Sequence, residues 1–486
     1  MMKYKVLQLF TIVMGAVALL SSCVEESSTD YNAVEQVVFD EWMAQYNQGA
    51  ERAYRQDDGY YIELISQGDK QAQMLADTTC WIHYDFTGYD LAGNVCLTRD
   101  DLTAWQQGSF SKQTRYVPYY RLSGESSYAI LEGTELAFTS QLTIGDEKLY
   151  LYDGAEFKIF MPSSLVGEDG IEGQGGYEGQ YSLTSGRPLI AKIKVTGVDL
   201  NPVESEGEQI DAFAKKNGGL TVSAARAEGE DDNAWINTVD TIAHFYINKT
   251  FAPKADASSF EYENAYTTGV PESPYHKGVA EVDKLINKAL IERFGQGVTD
   301  GEVVGKDNDI KVWYIGRFLD GFIFDTNIDE VKEIIYNEVA SEGAAISFNA
   351  STDEKSYIQS WFLSLPLLKY GQWAAIITNS TYAYGAMGQA GSTNVSTSGG
   401  SSDYSSYYDY YNMYNYYNGY YGGGMYGNYY NNYYNNYYGN YYDPYYNSSA
   451  GSSSNTVTTT TIKTEIPSYT PLIFEIYIEE VEDKDE

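Results

Sequence analysis

The sequence predicts an α+β chain: antiparallel strands accompanied by amphipathic helices, with a long low-complexity insertion in the second half. Three observations carry this. Residues 311–325 (Lys-Val-Trp-Tyr-Ile-Gly-Arg-Phe-Leu-Asp-Gly-Phe-Ile-Phe-Asp) read as strand, turn and return strand, because Asp-Gly between apolar runs supplies the positive φ of a tight hairpin. Apolar residues recur at helical spacing over 32–47, 277–295 and 329–340, the pattern of helices with one buried face. Residues 392–461 break sharply from the rest of the chain in composition.

The elements follow in order. Lys3 and Lys5 precede an apolar run from Leu7 to Leu20, too short to span a bilayer stably but suited to a signal peptide over 1–22. It ends in Leu20-Ser21-Ser22-Cys23, which resembles a bacterial lipobox and implies acylation of Cys23, with attachment to the outer membrane of a Gram-negative bacterium, facing the periplasm or the cell surface. An ordinary signal peptide with an incidental Cys is the alternative. A tether and helix then occupy 23–57, with Val34, Val37, Val38, Trp42 and Tyr46 on one helical face. Tyr60–Ile65 reads as a strand. The remaining cysteines, Cys80 and Cys96, fall too far apart on the hairpin that turns at Ala92-Gly93 to be bridged, so free thiols are expected. Residues 201–235 are polar and acidic and read as a linker. The second long helix places Val279, Val282, Leu285, Ile286, Leu290 and Ile291 together, and the third Val331, Ile334, Ile335 and Val339. Residues 401–450 hold 21 tyrosines among Asn, Gly and Ser, with Asp403, Asp409 and Asp443 the only charges. With almost nothing aliphatic to bury, 392–461 is expected to be disordered; an adhesive surface of stacking Tyr rings is the other reading.

The formal charge of −37 repels phosphates, so nucleic acid is excluded as a partner. Three His in total, no zinc-ligand spacing, no phosphate loop and no nucleophile motif leave no metal or other cofactor to expect.

Three blocks, taken in order, resemble the FKBP family of peptidyl-prolyl cis-trans isomerases. Tyr314-x-Gly316 with Asp320-Gly321-x-x-Phe324-Asp325 is similar to that family's first hairpin. Gly371-Gln372-Trp373 followed by Ala383-Tyr384-Gly385 resembles its next strand and loop. Ile466-Pro467 with Leu472-Ile473-Phe474 resembles its closing strand. The resemblance implies two half-barrel sheets, each wrapping a short helix: a second domain over 236–486 carrying the insertion, and a degenerate first domain over 58–200. In that first half Cys80-Trp81-Ile82-His83-Tyr84, Leu91-Ala92-Gly93 and Arg187-Pro188-Leu189 echo the same order. Residues 236–300 have no firm counterpart.

Carried onto this chain, the resemblance implies a catalytic set of Tyr314, Phe324, Asp325, Ile358, Trp361 and Tyr384, with Phe348, Tyr357, Ile466 and Phe474 binding substrate. Trp361 would be the floor, on a helix over Lys355–Leu365. Ile358 N–H and the Tyr384 hydroxyl would meet substrate carbonyls, and Asp325 would orient the polar rim. The chemistry suits such residues. Rotation about X–Pro faces a barrier of about 18–20 kcal/mol because it breaks amide resonance, and an apolar cup favours the less dipolar twisted amide without acid, base or metal. Departures are Ser360 for the family's Gly, Tyr357 for its Val, and the Tyr-rich tract in place of the loop after Ala-Tyr-Gly. In the first domain Cys96 and Leu97 stand for Phe-Asp, Thr134 for the Trp, Val166 for the loop Tyr and Ala191 for the closing Phe, with Tyr84 alone matching; no pocket is expected there. The implied function is isomerisation of proline-containing exported polypeptides. Its rival is a non-catalytic surface binding protein that kept the fold and binds through the Tyr-rich loop.

Overall fold

The computed structural model describes residues 31–77, 79–123, 131–166, 187–217, 244–337, 343–352, 357–389, 391–397 and 458–480. The expected signal segment 1–22, Cys23, residues 218–235 of the expected linker and most of the Tyr-rich tract lie outside these residues.

The first half runs α1 (Tyr31–Tyr46), β1 (Tyr54–Arg55), β2 (Tyr61–Ser66), β3 (Trp81–Tyr89), β4 (Val95–Thr98), α2 (Asp101–Gln106), β5 (Tyr119–Leu122), α3 (Glu132–Thr139), β6 (Leu142–Ile144), β7 (Glu147–Leu149), β8 (Glu156–Met161) and β9 (Leu189–Asp199). Its sheet has the antiparallel order β1-β2-β8-β9-β3-β4, with β5 also on β3, and β6 and β7 form a separate hairpin. Alternation along β8 sends Phe157, Ile159 and Met161 into the main core with Phe138 of α3, and Phe160 to the opposite face, as the period of two requires. On that opposite face sits α1. Its buried stripe is Phe39 and Met43 with Trp42 and Tyr46 beside them, whereas Val37 and Val38 are 59% and 61% exposed. This corrects the expected face, because the shelf offered by Phe160 and Tyr61 is aromatic and the rings of α1 pack edge-on or tilted against it. Cys80 is buried and Cys96 half-buried, both free thiols, with burial pushing each up to about 11.

The second half runs α4 (Pro202–Asn217), β10 (Tyr246–Asn248), α5 (Val279–Phe294), β11 (Ile310–Phe318), β12 (Ile323–Thr326), α6 (Asp329–Tyr336), β13 (Ile346–Phe348), α7 (Gln359–Ser364), β14 (Trp373–Thr378), β15 (Ser392–Thr397), β16 (Thr458–Lys463) and β17 (Leu472–Glu480). Its antiparallel sheet has the order β10-β14-β17-β11-β12, with β13 also on β11. Asp320-Gly321 closes the β11–β12 hairpin as expected: Gly321 has φ 87°, and Phe318 N–H donates to Phe322 O across 2.9 Å.

Three expectations are corrected here. Residues 202–217 are a helix rather than linker, since Ile210, Phe213 and Ala214 form a narrow stripe buried in the second core. The two ends of the tract expected to be disordered pair as the ribbon β15–β16, consistent with their run of β-branched residues. On α5, Val279, Val282, Ile286 and Leu290 are buried while Leu285 is exposed, so the stripe is narrower than the apolar pattern.

Apart from β1, which has no counterpart, the two sheets repeat one another strand for strand. In each half the chain visits β2/β10, β3/β11, β4/β12, β5/β13, a short helix (α3/α7), β8/β14 and β9/β17, and the spatial order is the same. The register aligns them residue by residue. Gly88 faces Leu97 and Ala191, as Gly316 faces Asp325 and Phe474. The position of Tyr314 is therefore held by Phe86, which pairs with Ile193 as Tyr314 does with Ile476. Tyr84, the one match read from the sequence, lies two residues earlier and faces the core. A 16-residue helix also precedes each sheet: α1 and α4.

Candidate functional site

One face of the second sheet gathers the expected aromatic set. Tyr314 on β11, Phe324 on β12, Phe348 on β13, Trp361 on α7 and Phe474 on β17 arrive from five elements. Trp361, only 3% exposed, is the hub. Its ring meets Tyr314 at 5.3 Å and Phe474 at 5.9 Å, both edge to face, Phe348 at 6.3 Å, and stacks on Tyr357 at 5.6 Å. Such tilted and edge-on pairs each add about 0.5–1.5 kcal/mol beyond the area they bury. Phe324 stands edge-on to Phe474 at 5.9 Å and to Tyr384 at 6.4 Å.

Local sequence explains the placement. Gly316 has no side chain because a Cβ there would lie 2.6 Å from Phe324 Cζ; the Phe324 ring lies across that glycine. Asn327 pins the hairpin by accepting from Tyr314 N–H and donating to Val312 O. The Tyr314 hydroxyl donates to Asp325 Oδ2 across 2.6 Å, so the one charged group of the expected set is tied to a ring hydroxyl at the exposed rim. Ile358, buried, is the N-cap of α7 and its carbonyl accepts from Trp361 N–H. Ile466 is buried in the same apolar cluster and pairs with Gln389, its N–H donating to Gln389 O across 2.9 Å. Trp361 Nε1 is buried without a hydrogen-bond partner among the described residues. Nine of the ten expected residues thus lie in or against the second core, and Asp325 joins them through its bond to Tyr314. The arrangement is an aromatic, largely water-excluding assembly with hydroxyls and a carboxylate at one margin. No group of three or more His, Cys, Asp or Glu among the described residues is placed to hold a metal.

Sequence reasoning missed the clamp beneath the Tyr384 segment. Glu206, fifth residue of α4, accepts from Ser380 N–H and, at 2.7 Å, from Ser380 Oγ. Ser380 begins the single turn Ser380–Tyr382 that leads into Ala383-Tyr384. Glu35, fifth residue of α1, makes the same two bonds to Ser163, which begins the corresponding turn Ser163–Leu165. A Glu at the fifth position of each helix and a Ser after each β8/β14 strand was the available signal, invisible while 202–217 read as linker.

Burial pushes the Glu206 carboxyl up to about 7, against the two Ser380 bonds and the nearby His244 that favour its charged form. Folding therefore favours protonated Glu206, and its contribution to stability diminishes as pH rises from the ordinary carboxyl value through about 7. Glu206→Gln keeps an acceptor for Ser380 N–H and carries no charge. Its melting temperature should match wild type near pH 4 and exceed it near pH 8. A constant difference at both values would show that the carboxylate is not the cause.

No family model matches this chain, and no curated protein matches it. Among solved structures it is similar to FkpA from Escherichia coli, with TM-score 0.23 and 10% identity over 39% of this chain and 71% of that one. It is also similar to the three FKBP domains of wheat FKBP73, with TM-score 0.20 and 10% identity over 87% of this chain and 95% of that one. A third is a peptidyl-prolyl cis-trans isomerase from Pseudomonas syringae pv. tomato, with TM-score 0.22 and 13% identity over 34% and 95%. Likenesses this distant carry no argument about the residues of the site.

Proposed function

We propose that the second domain, 236–486, is an FKBP-type prolyl cis-trans isomerase acting on exported polypeptides. The observation that supports it is the convergence of Tyr314, Phe348 and Phe474 around Trp361, with Phe324 set between Phe474 and Tyr384 and with Tyr314 bonded to Asp325. In this reading the rings exclude water from the prolyl amide and favour its twisted, less dipolar form, while Ile358 N–H and the Tyr384 hydroxyl hold the flanking carbonyls. Phe348, Tyr357 and Ile466 would close the sides. Each 1.4 kcal/mol of selective stabilisation gives about tenfold in rate.

The first domain lacks this apparatus in our reading. At the register positions of Tyr314, Phe324, Asp325, Phe348, Trp361 and Phe474 it carries Phe86, Cys96, Leu97, Arg121, Thr134 and Ala191. NMR exchange spectroscopy on a proline tetrapeptide should show faster cis-trans exchange with the full chain. Tyr384→Phe and Asp325→Asn should reduce it, and Cys96→Ser in the first domain should not. A full chain that leaves the exchange rate unchanged sinks the isomerase and favours the rival, a binding protein that retains the fold.

We further propose that Cys23 is lipidated and anchors the chain to the outer membrane. The support is the Leu20-Ser21-Ser22-Cys23 ending of a short apolar run. No helix among the described residues is long and apolar enough to cross a membrane. Mass spectrometry of the mature N-terminus should find acyl mass on Cys23, and a terminus further along the chain would refute it.

A further inference from the structure

The degenerate first domain meets the second with its own pocket face. Arg121 stands on β5 opposite Ile82, as Phe348 stands on β13 opposite Ile310. Arg99 follows Leu97 by two residues, as Asn327 follows Asp325. Where the second domain places an aromatic wall, the first presents two guanidinium groups over one ring: Arg99 lies 3.8 Å and Arg121 5.2 Å from the Tyr119 centroid.

Both bind Glu465 of the second domain. Arg121 Nη2 donates to Oε1 across 2.6 Å and Arg99 Nη2 to Oε2, so each carboxylate oxygen has its own cation. All three side chains are mostly covered, with exposures of 21%, 13% and 23%. Burial alone would raise the Glu465 carboxyl; the two guanidinium charges instead hold it at about 2. The flanking residues are seated too. Thr464 Oγ1 donates to Gln113 O across 2.7 Å, and Tyr469 sits edge-on to Trp81 at 5.1 Å. The second hairpin is braced in the same way, since Arg115 pairs with Asp320 at 2.8 Å and lies over the Phe318 ring.

We infer that the first domain's pocket face has become a carboxylate receptor whose ligand, supplied in cis, is Glu465, and that Arg99 and Arg121 are positioning residues for the second domain's pocket. Glu465 is joined to Ile466, a pocket residue. Ile466 exchanges two backbone hydrogen bonds with Gln389, of 2.9 and 2.7 Å, five residues beyond Tyr384. Held by two cations, this strand edge fixes the side of the pocket that Ile466 and Tyr384 supply. A degenerate domain is thereby retained for a mechanical reason.

The kinetic part of this inference rests on the isomerase reading; the structural part does not. Amide hydrogen exchange in the full chain tests the latter. Glu465→Gln should speed exchange at Gln389 and Ile466 at least tenfold, and Glu465→Asp, which keeps the charge, should fall well short of that. For tetrapeptide isomerisation the Gln variant should raise KM severalfold with kcat little changed, as expected for a lost positioning contact. Should Glu465→Gln not fold, Arg99→Lys with Arg121→Lys retains both charges but loses the planar guanidinium groups that lie over Tyr119 and, at Arg121, the second donor that holds Tyr120 O, and should speed the same two amides. Exchange at Gln389 and Ile466 within twofold of wild type in a folded variant overturns the clamp. A wild-type chain without isomerase activity would remove the kinetic part alone, while the exchange measurement still decides the rest.

Discussion

Arg317→Ala is expected to destabilise the second domain by about 3–5 kcal/mol, the cost of leaving buried charges without their partner. Arg317, Asp283 and Glu475 all have fully buried side chains. Arg317 Nη1 lies 2.8 Å from Asp283 Oδ1, and Nε lies 2.9 Å from Glu475 Oε1. Asp283 further accepts from Ser259 N–H and from the hydroxyls of Ser258 and Tyr262. This network fastens α5 to the face of the sheet opposite the aromatic cluster. Alternation makes the two faces neighbours in sequence: Gly316 and Phe474 belong to the cluster, Arg317 and Glu475 to the network behind it. One guanidinium serves two carboxylates, so burial prevails for one of them and pushes Glu475 up to about 7 despite the neighbouring cation.

The pH dependence follows from that direction. Folding favours protonated Glu475, so its contribution to stability is greatest below the ordinary carboxyl value and wanes as pH rises through about 7. Removing Arg317 deprives both carboxylates of their cation and strengthens this trend. The Arg317→Ala deficit in chemical denaturation should be largest near pH 8 and shrink near pH 5. A deficit under 1 kcal/mol at pH 8 would mean that water or a rearranged partner reaches the two carboxylates.

How far the sequence disclosed this molecule depended on the range of the interaction concerned. The β11–β12 hairpin was legible because its signal is local: Asp320-Gly321 sets the turn, and apolar runs flank it. Trp361, Tyr314 and Phe474 could be named because a family resemblance supplied pairings that periodicity does not. Helix α4 stayed hidden because its only buried apolar side chains, Ile210, Phe213 and Ala214, sit in a largely polar run, a stripe too thin to stand out from an acidic linker. Phe86 rather than Tyr84 takes the place of Tyr314 because strand register decides it, and a shift of two residues keeps the same face and the same apolar pattern. The contacts of Glu206 with Ser380, and of Arg99 and Arg121 with Glu465, join segments more than a hundred residues apart. Nothing in the local sequence of either partner announces such a pair.

Trp361→Ala should be the most damaging change in the aromatic cluster, costing about 3–5 kcal/mol by removing a buried indole and leaving a cavity. Four rings lose their common neighbour at once: Tyr314, Phe348, Tyr357 and Phe474. The indole N–H has no partner among the described residues, so the cost comes from packing rather than from a lost hydrogen bond. Trp361→Phe separates the two contributions. It removes a buried donor that gains nothing in the folded state, keeps a ring against all four neighbours, and should cost markedly less. If the isomerase reading holds, both variants should lose activity, because the Trp361 ring would form the floor on which the prolyl ring turns. Trp361→Phe should then lower kcat/KM by roughly tenfold or more, equivalent to about 1.4 kcal/mol of transition-state stabilisation, while remaining folded. Thermal unfolding and NMR exchange on the same samples distinguish the cases. A Phe variant that is folded and fully active would show that Trp361 is only core, and would move the search for the catalytic surface toward Tyr384 and the exposed rim at Asp325.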